Sequence, residues 1–138
     1  MENNKIKVST IVDADINIVW DYWTLPQHIV NWNFASDNWL CPSAENDLRV
    51  GGKFNYRMAS LDGDAGFDFE GIYDEVEKHH RISYTLADER HVDVMFESVE
   101  DKTKITEIFD PENINSKELQ QAGWQAILDN FKKYVEAK

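Results

Sequence analysis

The sequence predicts an α+β fold in which a curved antiparallel β-sheet of about six to seven strands wraps around a long C-terminal α-helix. From about residue 40 to Phe109, apolar and polar residues alternate in short runs separated by turn residues, which is typical of half-buried strands. From Asn115 onwards, apolar residues recur every three or four positions, as on one face of a helix. One strand and two short helices are predicted before this sheet.

The composition favours one domain over residues 1–138. With 42% hydrophobic and 12% aromatic residues, the chain can bury enough apolar surface to fold alone, and its length leaves no room for a second core. The 26 acidic and 14 basic residues give a net charge of −12, a field that repels phosphate backbones and anionic lipid heads. We therefore expect neither a nucleic-acid nor a membrane partner, and either a monomer or a weak homodimer.

Cysteine usage and processing signals indicate a cytoplasmic protein. Cys41 is the only cysteine, so no intramolecular disulfide can form, and the chain has no Asn-x-Ser/Thr sequon. The apolar run at residues 6–12 is too short and too often interrupted by polar residues for a signal peptide or a membrane span. A reducing, cytoplasmic location is therefore expected.

The N-terminal region predicts a strand followed by two short helices. Residues 6–12 alternate in polarity and predict the strand. Asp13 or Asp15 can cap the helix that follows, in which apolar residues recur at helical spacing up to Pro26. Pro26 itself suits the first turn of a second helix, which is predicted to end near Trp32.

Glycine and polar clusters divide the central region into strands. Gly51 and Gly52 are predicted to form a bend that starts the sheet, and Gly71 a bulge or a sharp bend in a curved strand. The turns between strands are predicted at residues 61–66, 78–81, 87–90 and 100–102.

The last predicted element is one long helix. Asn115 and Glu118 have the spacing of a capping box, which predicts the start of the helix. Because glycine weakens a helix interior, Gly123 predicts close approach of the helix backbone to the aromatic face of the sheet. The predicted apolar ridge consists of Leu119, Gly123, Ile127, Phe131 and Val135, with Trp124 and Leu128 beside it.

Several short motifs occur in an order that resembles one protein family. They read W-T-L-P-Q-H-I-V-N-W at residues 23–32, D-L-R-V-G-G-K-F at 47–54, G-I-Y-D-E at 71–75 and V-D-V-M-F at 92–96. The combination resembles the small bacterial proteins related to the C-terminal domain of the activator of the heat-shock-protein-90 ATPase, within the START-like (SRPBCC) helix-grip superfamily. The resemblance covers nearly the whole chain. Where family members often carry Asp-Gly-Arg, this chain has Asp88-Glu89-Arg90.

The resemblance implies an apolar cavity between the sheet and the C-terminal helix. The residues themselves supply an aromatic interior, since many large side chains fall on faces that are predicted to point inward. These side chains can also fill a solid core, because protein interiors are normally close-packed. The candidate ligand-binding residues are Trp32, Phe54, Tyr56, Phe69, Tyr73, Tyr84, Val94, Phe96, Glu107, Phe109, Trp124 and Ile127.

Glu107 is the unusual member of this set, because strand alternation places its carboxyl group on the predicted inner face with Ile105 and Phe109. A buried carboxyl group with a raised pKa can act as a general acid or base, or can orient a polar ligand. Two alternatives remain open at this stage. The strand can slip at a bulge so that Glu107 points to solvent, or Arg57 or Tyr84 can satisfy it.

Three functions are compatible with the sequence. The first is binding of a hydrophobic small molecule in the cavity, without chemistry. The second, implied by the resemblance, is regulation of a chaperone partner in a stress response, and the third is a cyclase-like or hydrolase-like enzyme. No cofactor motif is visible, and His28, His79, His80 and His91 lack the spacing of a metal-ligand pair, so neither a cofactor nor a metal is expected.

Overall fold

In residues 5–137, which the computed structural model describes, one seven-stranded antiparallel sheet curls around the core and packs against three helices. The strand order is β1-β7-β6-β5-β4-β3-β2. This confirms the predicted helix-grip arrangement. The elements, in chain order, are β1 (Ile6–Val12), α1 (Ile16–Thr24), α2 (Pro26–Ile29), β2 (Trp39–Asn46), β3 (Lys53–Ser60), β4 (Gly66–Glu77), β5 (Arg81–Leu86), β6 (His91–Val99), β7 (Lys102–Phe109) and α3 (Lys117–Glu136).

Local hydrogen bonds define the start of α1 and the turn that follows α2. Of the two predicted caps, Asp15 is the one used: its Oδ1 accepts hydrogen bonds from the backbone N–H groups of Asn17 and Ile18 at 2.9 and 3.1 Å. The second helix, α2, ends at Ile29, earlier than predicted. The chain then turns, and the indole N–H of Trp32 donates to the carbonyl of Tyr22 at 2.9 Å, which ties the turn to α1.

Two glycines hold the predicted bend between β2 and β3. Gly51 has a φ of 83°, a conformation that favours glycine, and a side chain at Gly52 would collide with the carbonyl oxygen of Asp47. Within the same bend, Arg49 Nε donates to the Asp47 carboxylate at 3.0 Å. The predicted bend is therefore present, but it joins β2 to β3 and does not start the sheet.

Gly71 is required for close packing rather than for a bulge. A Cβ atom there would lie 2.7 Å from the carbonyl oxygen of Thr85 and 3.0 Å from the ring of Phe54. The register of β4 against β5 shifts later, between Tyr73 and Glu75. The bulge is thus displaced from the predicted position, whereas Gly71 makes room for an aromatic ring of the neighbouring strand.

The cap of α3 is Ser116, not Asn115 as predicted. Its Oγ accepts a hydrogen bond from the backbone N–H of Leu119 at 3.1 Å. Asn115 cannot serve as the cap, because the Glu112 carboxylate holds both its backbone N–H, at 2.9 Å, and its side-chain amide, at 2.6 Å. The helix therefore starts one residue later than predicted, with a simple serine cap in place of the predicted capping box, because the residue three positions after Ser116 is Leu119.

The buried face of α3 follows the predicted ridge at Phe131 and Val135 but departs from it in the first turns of the helix. Leu119 is 60% exposed, and a Cβ atom at Gly123 would meet nothing within 4 Å, so the predicted close approach at Gly123 is wrong. In the first half of α3, Gln120 is the buried residue instead. Its side chain bonds the backbone of the preceding loop, accepting from Glu112 N at 2.8 Å and donating to Asn115 O at 2.9 Å.

The open space at Gly123 changes the effect expected from substituting this residue. Gly123→Ala is expected to raise the free energy of unfolding by about 1 kcal/mol, because alanine is the better helix former and its methyl group meets open space. Urea titration of both proteins measures the difference. Gly123→Leu should also be tolerated, and a loss of stability in that variant would show that this face is packed after all. Gly52→Ala is the matched control and should be clearly destabilised, because its side chain has no room.

Candidate functional site

A cavity of about 240 Å³ lies between the inner face of the sheet and α3. Strands β3, β4, β5 and β7 supply one wall and α3 supplies the opposite wall. The α1–α2 region, the end of β2, the β5–β6 turn and the segment before α3 supply the remainder. The residues that line it are Trp23, Thr24, Trp32, Asn33, Asn46, Phe54, Tyr56, Met58, Phe67, Phe69, Tyr73, Ile82, Tyr84, Arg90, Glu107, Glu112, Gln120, Trp124 and Ile127.

Most of the candidate residues line this cavity, but three do not. Val94, Phe96 and Phe109 are buried in the core behind the wall. Phe109 stacks on Trp124 with ring centroids 3.8 Å apart, so it supports a lining residue instead of forming the surface. The candidates on the wall are Trp32, Phe54, Tyr56, Phe69, Tyr73, Tyr84, Glu107, Trp124 and Ile127.

The wall formed by the sheet is built around Phe54. Its ring centroid lies 4.8 Å from that of Tyr84, 5.0 Å from that of Tyr56 and 5.2 Å from that of Tyr73. Phe54 is paired across the strands with Gly71, and the missing side chain there leaves space for the ring. Alternation on adjacent strands thus brings these rings to one face, as the sequence predicts.

A hydrogen-bonded chain of polar groups closes one part of the cavity. The hydroxyl of Tyr73 donates to Asn46 Oδ1 at 2.5 Å, and the amide of Asn46 donates to the carbonyl of Thr24 at 2.7 Å. Burial raises the pKa of Tyr73 to about 12 and those of Tyr56 and Tyr84 well above their usual value, so all three remain phenols. Sequence analysis missed Asn46 and Thr24 because nothing in their local pattern marks an inward side chain.

A second cluster of polar side chains on the cavity wall consists of Arg90, Glu112 and Gln120. It lies where the β5–β6 turn approaches the segment before α3. Arg90 Nε donates to the Asp88 carboxylate at 2.8 Å. Glu112 accepts hydrogen bonds from Asn115 and from the backbone N–H of Ile114, which lower the pKa of its carboxyl group. Gln120 is bonded to the loop itself. These lining groups therefore already have partners within the protein.

Glu107 lies on the cavity wall and is only 5% exposed. Its cross-strand neighbours are Val8 on β1 and Val94 on β6. No hydrogen bond or ion pair to its carboxyl group occurs within residues 5–137. Burial raises the pKa of Glu107 from 4.5 to about 8, so the carboxyl group is mainly protonated at pH 7.

A bulge and a pairing with Arg57 are both excluded for Glu107. Tyr84 lies near it, so that burial and then the charge of Glu107 raise the pKa of Tyr84, but no hydrogen bond joins the two within residues 5–137. The pairing of β6 with β7 is regular from the Val92–Phe109 pair to the Val99–Lys102 pair. No bulge therefore turns the Glu107 side chain to solvent. Arg57 contacts the Asp68 carboxylate at 3.5 Å instead. A protonated carboxyl group in an apolar cavity can donate a hydrogen bond or exchange a proton, and after releasing its proton it can pair with a bound cation.

The histidine and cysteine side chains outside the cavity form no metal site or catalytic group within residues 5–137. Within residues 5–137, no group of three or more His, Cys, Asp or Glu side chains could hold a metal ion. His28 stacks on Tyr22 with centroids 4.0 Å apart and bonds the Tyr134 hydroxyl at 2.7 Å. Burial raises the pKa of Cys41 to about 11, which keeps it a thiol.

No helix in the described part of the chain is long and apolar enough to cross a membrane.

Solved structures with substantial sequence identity share this architecture over almost the full length. Chr148 from Cytophaga hutchinsonii is 50% identical, with a TM-score of 0.85, over 98% of this chain and 94% of that one. The AHSA1-like protein from Aeromonas hydrophila is 46% identical, with a TM-score of 0.88, over 96% of this chain and 93% of that one. NE0264 from Nitrosomonas europaea shares the fold at 16% identity, with a TM-score of 0.84, over 99% and 97% of the two chains.

Two further comparisons concern the sequence. Among proteins with curated descriptions, none matches the chain. The family model described as "Activator of Hsp90 ATPase homolog 1-like protein" matches residues 13–136, which include the cavity walls and α3. With that match and the two solved structures of 46% and 50% identity, the chain belongs to the family of activator of Hsp90 ATPase homologue 1-like proteins.

Proposed function

We propose that the protein binds a hydrophobic small molecule in the cavity between the sheet and α3. The observation that carries this proposal is the cavity itself, about 240 Å³ of space beside a dense group of aromatic rings. Ligand sites are typically concave and mostly apolar, with a few polar groups that orient the ligand. The cavity has this composition, since Glu107 and the Tyr73–Asn46 pair are set among aromatic side chains.

The size of the cavity restricts the ligand. Its volume is slightly below the range of roughly 300–1,000 Å³ that is usual for drug-sized ligands. A single fused-ring compound or one short alkyl chain is therefore a better match than a large lipid. Because Trp23, Trp32 and Trp124 line the cavity, such a ligand would contact indole rings and change their fluorescence.

An uncharged apolar dye is the direct test. We expect N-phenyl-1-naphthylamine to bind saturably, with a rise in dye fluorescence and a change in tryptophan emission. The emission change should be smaller in Trp124→Phe, because this indole stacks on Phe109 and forms part of the wall. Trp39→Phe is the matched control and should retain the full change, since Trp39 is not a lining residue. Fluorescence titration over the same series of dye concentrations measures the emission change in both variants.

A blocking variant distinguishes the cavity from the protein surface. Ile127 lines the cavity from α3, so Ile127→Trp should fill it and abolish dye binding. Leu119→Trp changes the exposed face of the same helix and should bind like the wild type. Equal dye binding by both variants would place the dye elsewhere and contradict the proposal.

The family description supports a second candidate, regulation of a chaperone ATPase. This function would act through the protein surface and does not need an occupied cavity. Binding of an Hsp90-type chaperone together with no saturable binding of the dye would favour it over ligand binding. An unchanged response to the chaperone in Ile127→Trp would add that the cavity takes no part in such an interaction.

A further inference from the structure

Glu107 is a buried carboxyl group on the cavity wall for which the described residues supply no partner. The Tyr73–Asn46 pair, Arg90, Glu112 and Gln120 all have hydrogen-bond partners in the protein. The Glu107 carboxyl group has neither a hydrogen bond nor an ion pair within residues 5–137. Placing such a group in an apolar interior is unfavourable unless a partner compensates for the lost hydration. A ligand is the partner that remains available to it.

We propose that the cavity accepts an organic cation, with its apolar body against the aromatic wall and its ammonium group against the carboxylate of Glu107. This proposal rests on the proposed function, since it specifies the ligand class of the same cavity. The rings of Phe54, Tyr84 and Trp124 lie on the same lining surface as Glu107. Aromatic faces attract ammonium groups through their quadrupoles, and this attraction is strongest where water is excluded.

The charges around the cavity favour a cation over an anion. The protein has a net charge of −12, which concentrates cations near it and repels anions. The single cationic side chain among the lining residues, Arg90, is already bonded to Asp88 at 2.8 Å and lies near the ionised Glu112. A carboxylate ligand would therefore compete with existing partners for Arg90, while an ammonium ligand would find Glu107 unpaired.

The titratable groups near Glu107 determine how binding depends on pH. On the sheet they are the phenols Tyr56, Tyr73 and Tyr84, which stay neutral because burial raises each pKa. Besides Arg90 and Glu112, the wall has no other titratable group, since α3 contributes only Gln120, Trp124 and Ile127, and the neighbours on β1 and β6 are valines. Glu107 is therefore the group that must lose a proton when a cation binds.

Octyltrimethylammonium is the appropriate probe, because it is permanently charged and has no proton to lose. We expect calorimetry at pH 6.5, in buffers with different ionisation enthalpies, to show release of about one proton per molecule bound, since Glu107 has a pKa of about 8. The dissociation constant should fall about tenfold per pH unit between pH 6 and 7 for the same reason. 1-Octanol should bind without proton release, and octanoate more weakly than the cation.

Glu107→Gln is the matched variant, because it keeps the shape and removes the acid. We expect it to bind octyltrimethylammonium at least tenfold more weakly than the wild type at pH 7.5, with no proton release and unchanged binding of 1-octanol. Binding of 1-octanol or of the dye without preference for the cation, or tightest binding of octanoate, would overturn the cation proposal and leave the proposed function standing. Failure of every probe to bind would overturn both. The measurement of proton release in the wild type does not depend on whether the variant folds.

Discussion

The Glu107→Gln variant is expected to become progressively more stable than the wild type as the pH rises from 5 to 8. The pKa of Glu107 is about 8 in the folded protein and near 4.5 when the side chain is hydrated. Between these values the folded state keeps a proton that the unfolded state has lost, so stability falls by about 1.4 kcal/mol per pH unit. The expected difference between the two proteins changes by roughly 3–4 kcal/mol over this range. Urea unfolding at four pH values measures it.

The direction of this effect identifies its source. A carboxyl group with a raised pKa stabilises the fold most below about pH 4.5 and loses that contribution as the pH rises through about 8. Asp93, Asp110 and Glu136 have lowered pKa values, so they act in the opposite direction and only in more acidic solution. Glu70→Gln makes the same substitution at an exposed position on β4 and is the control for the chemical change itself. Parallel curves for Glu107→Gln would show that its carboxyl group is hydrated.

The arrangement of the strands could be predicted from the sequence because alternation has an unambiguous consequence. Each inward residue on β7 is two positions from the next, so Ile105, Glu107 and Phe109 necessarily share a face once the strand is correctly assigned. The same argument placed Phe54, Tyr56 and Tyr73 on the inner face. Turn residues then separated the strands correctly, because glycine and short polar clusters have few other uses in a sheet protein.

The face of α3 could not be predicted as well, because its period is not a whole number and one buried position is polar. The prediction followed apolar residues from Leu119 through Gly123, whereas the helix buries Gln120. Gln120 is inside because its amide bonds the loop before the helix, including Glu112 N at 2.8 Å. Hydrophobicity does not reveal such a tertiary hydrogen bond.

The cavity wall was predicted only in part for a related reason. Inward orientation does not distinguish a residue at the surface of a cavity from one in the core behind it, and Val94 and Phe109 are in the second group. Asn46 and Thr24 reach the wall from segments that alternation alone does not orient, and their mutual hydrogen bond, at 2.7 Å, depends on how two distant elements meet. Positions of this kind become visible only in the folded chain.

Phe131→Ala is expected to lower the free energy of unfolding by about 3–5 kcal/mol, the largest loss among the substitutions proposed on α3. Phe131 is fully buried on α3, and its ring meets the edges of Trp23 and Trp32 at centroid distances of 4.9 and 4.8 Å. The substitution would leave a void between α3 and the region of α1 and α2, where the surrounding elements can collapse only partly. Urea unfolding of the variant and the wild type measures the loss.

Leu119→Ala is the matched control on the same helix. Leu119 is 60% exposed, so its truncation should change the free energy of unfolding by no more than about 0.5 kcal/mol. Since Trp23 and Trp32 also line the cavity, the void in Phe131→Ala should let their rings shift and should alter dye affinity, whereas Leu119→Ala should leave it unchanged. Similar losses of stability in the two variants would mean that Leu119 is packed as tightly as Phe131, in contradiction to the structure.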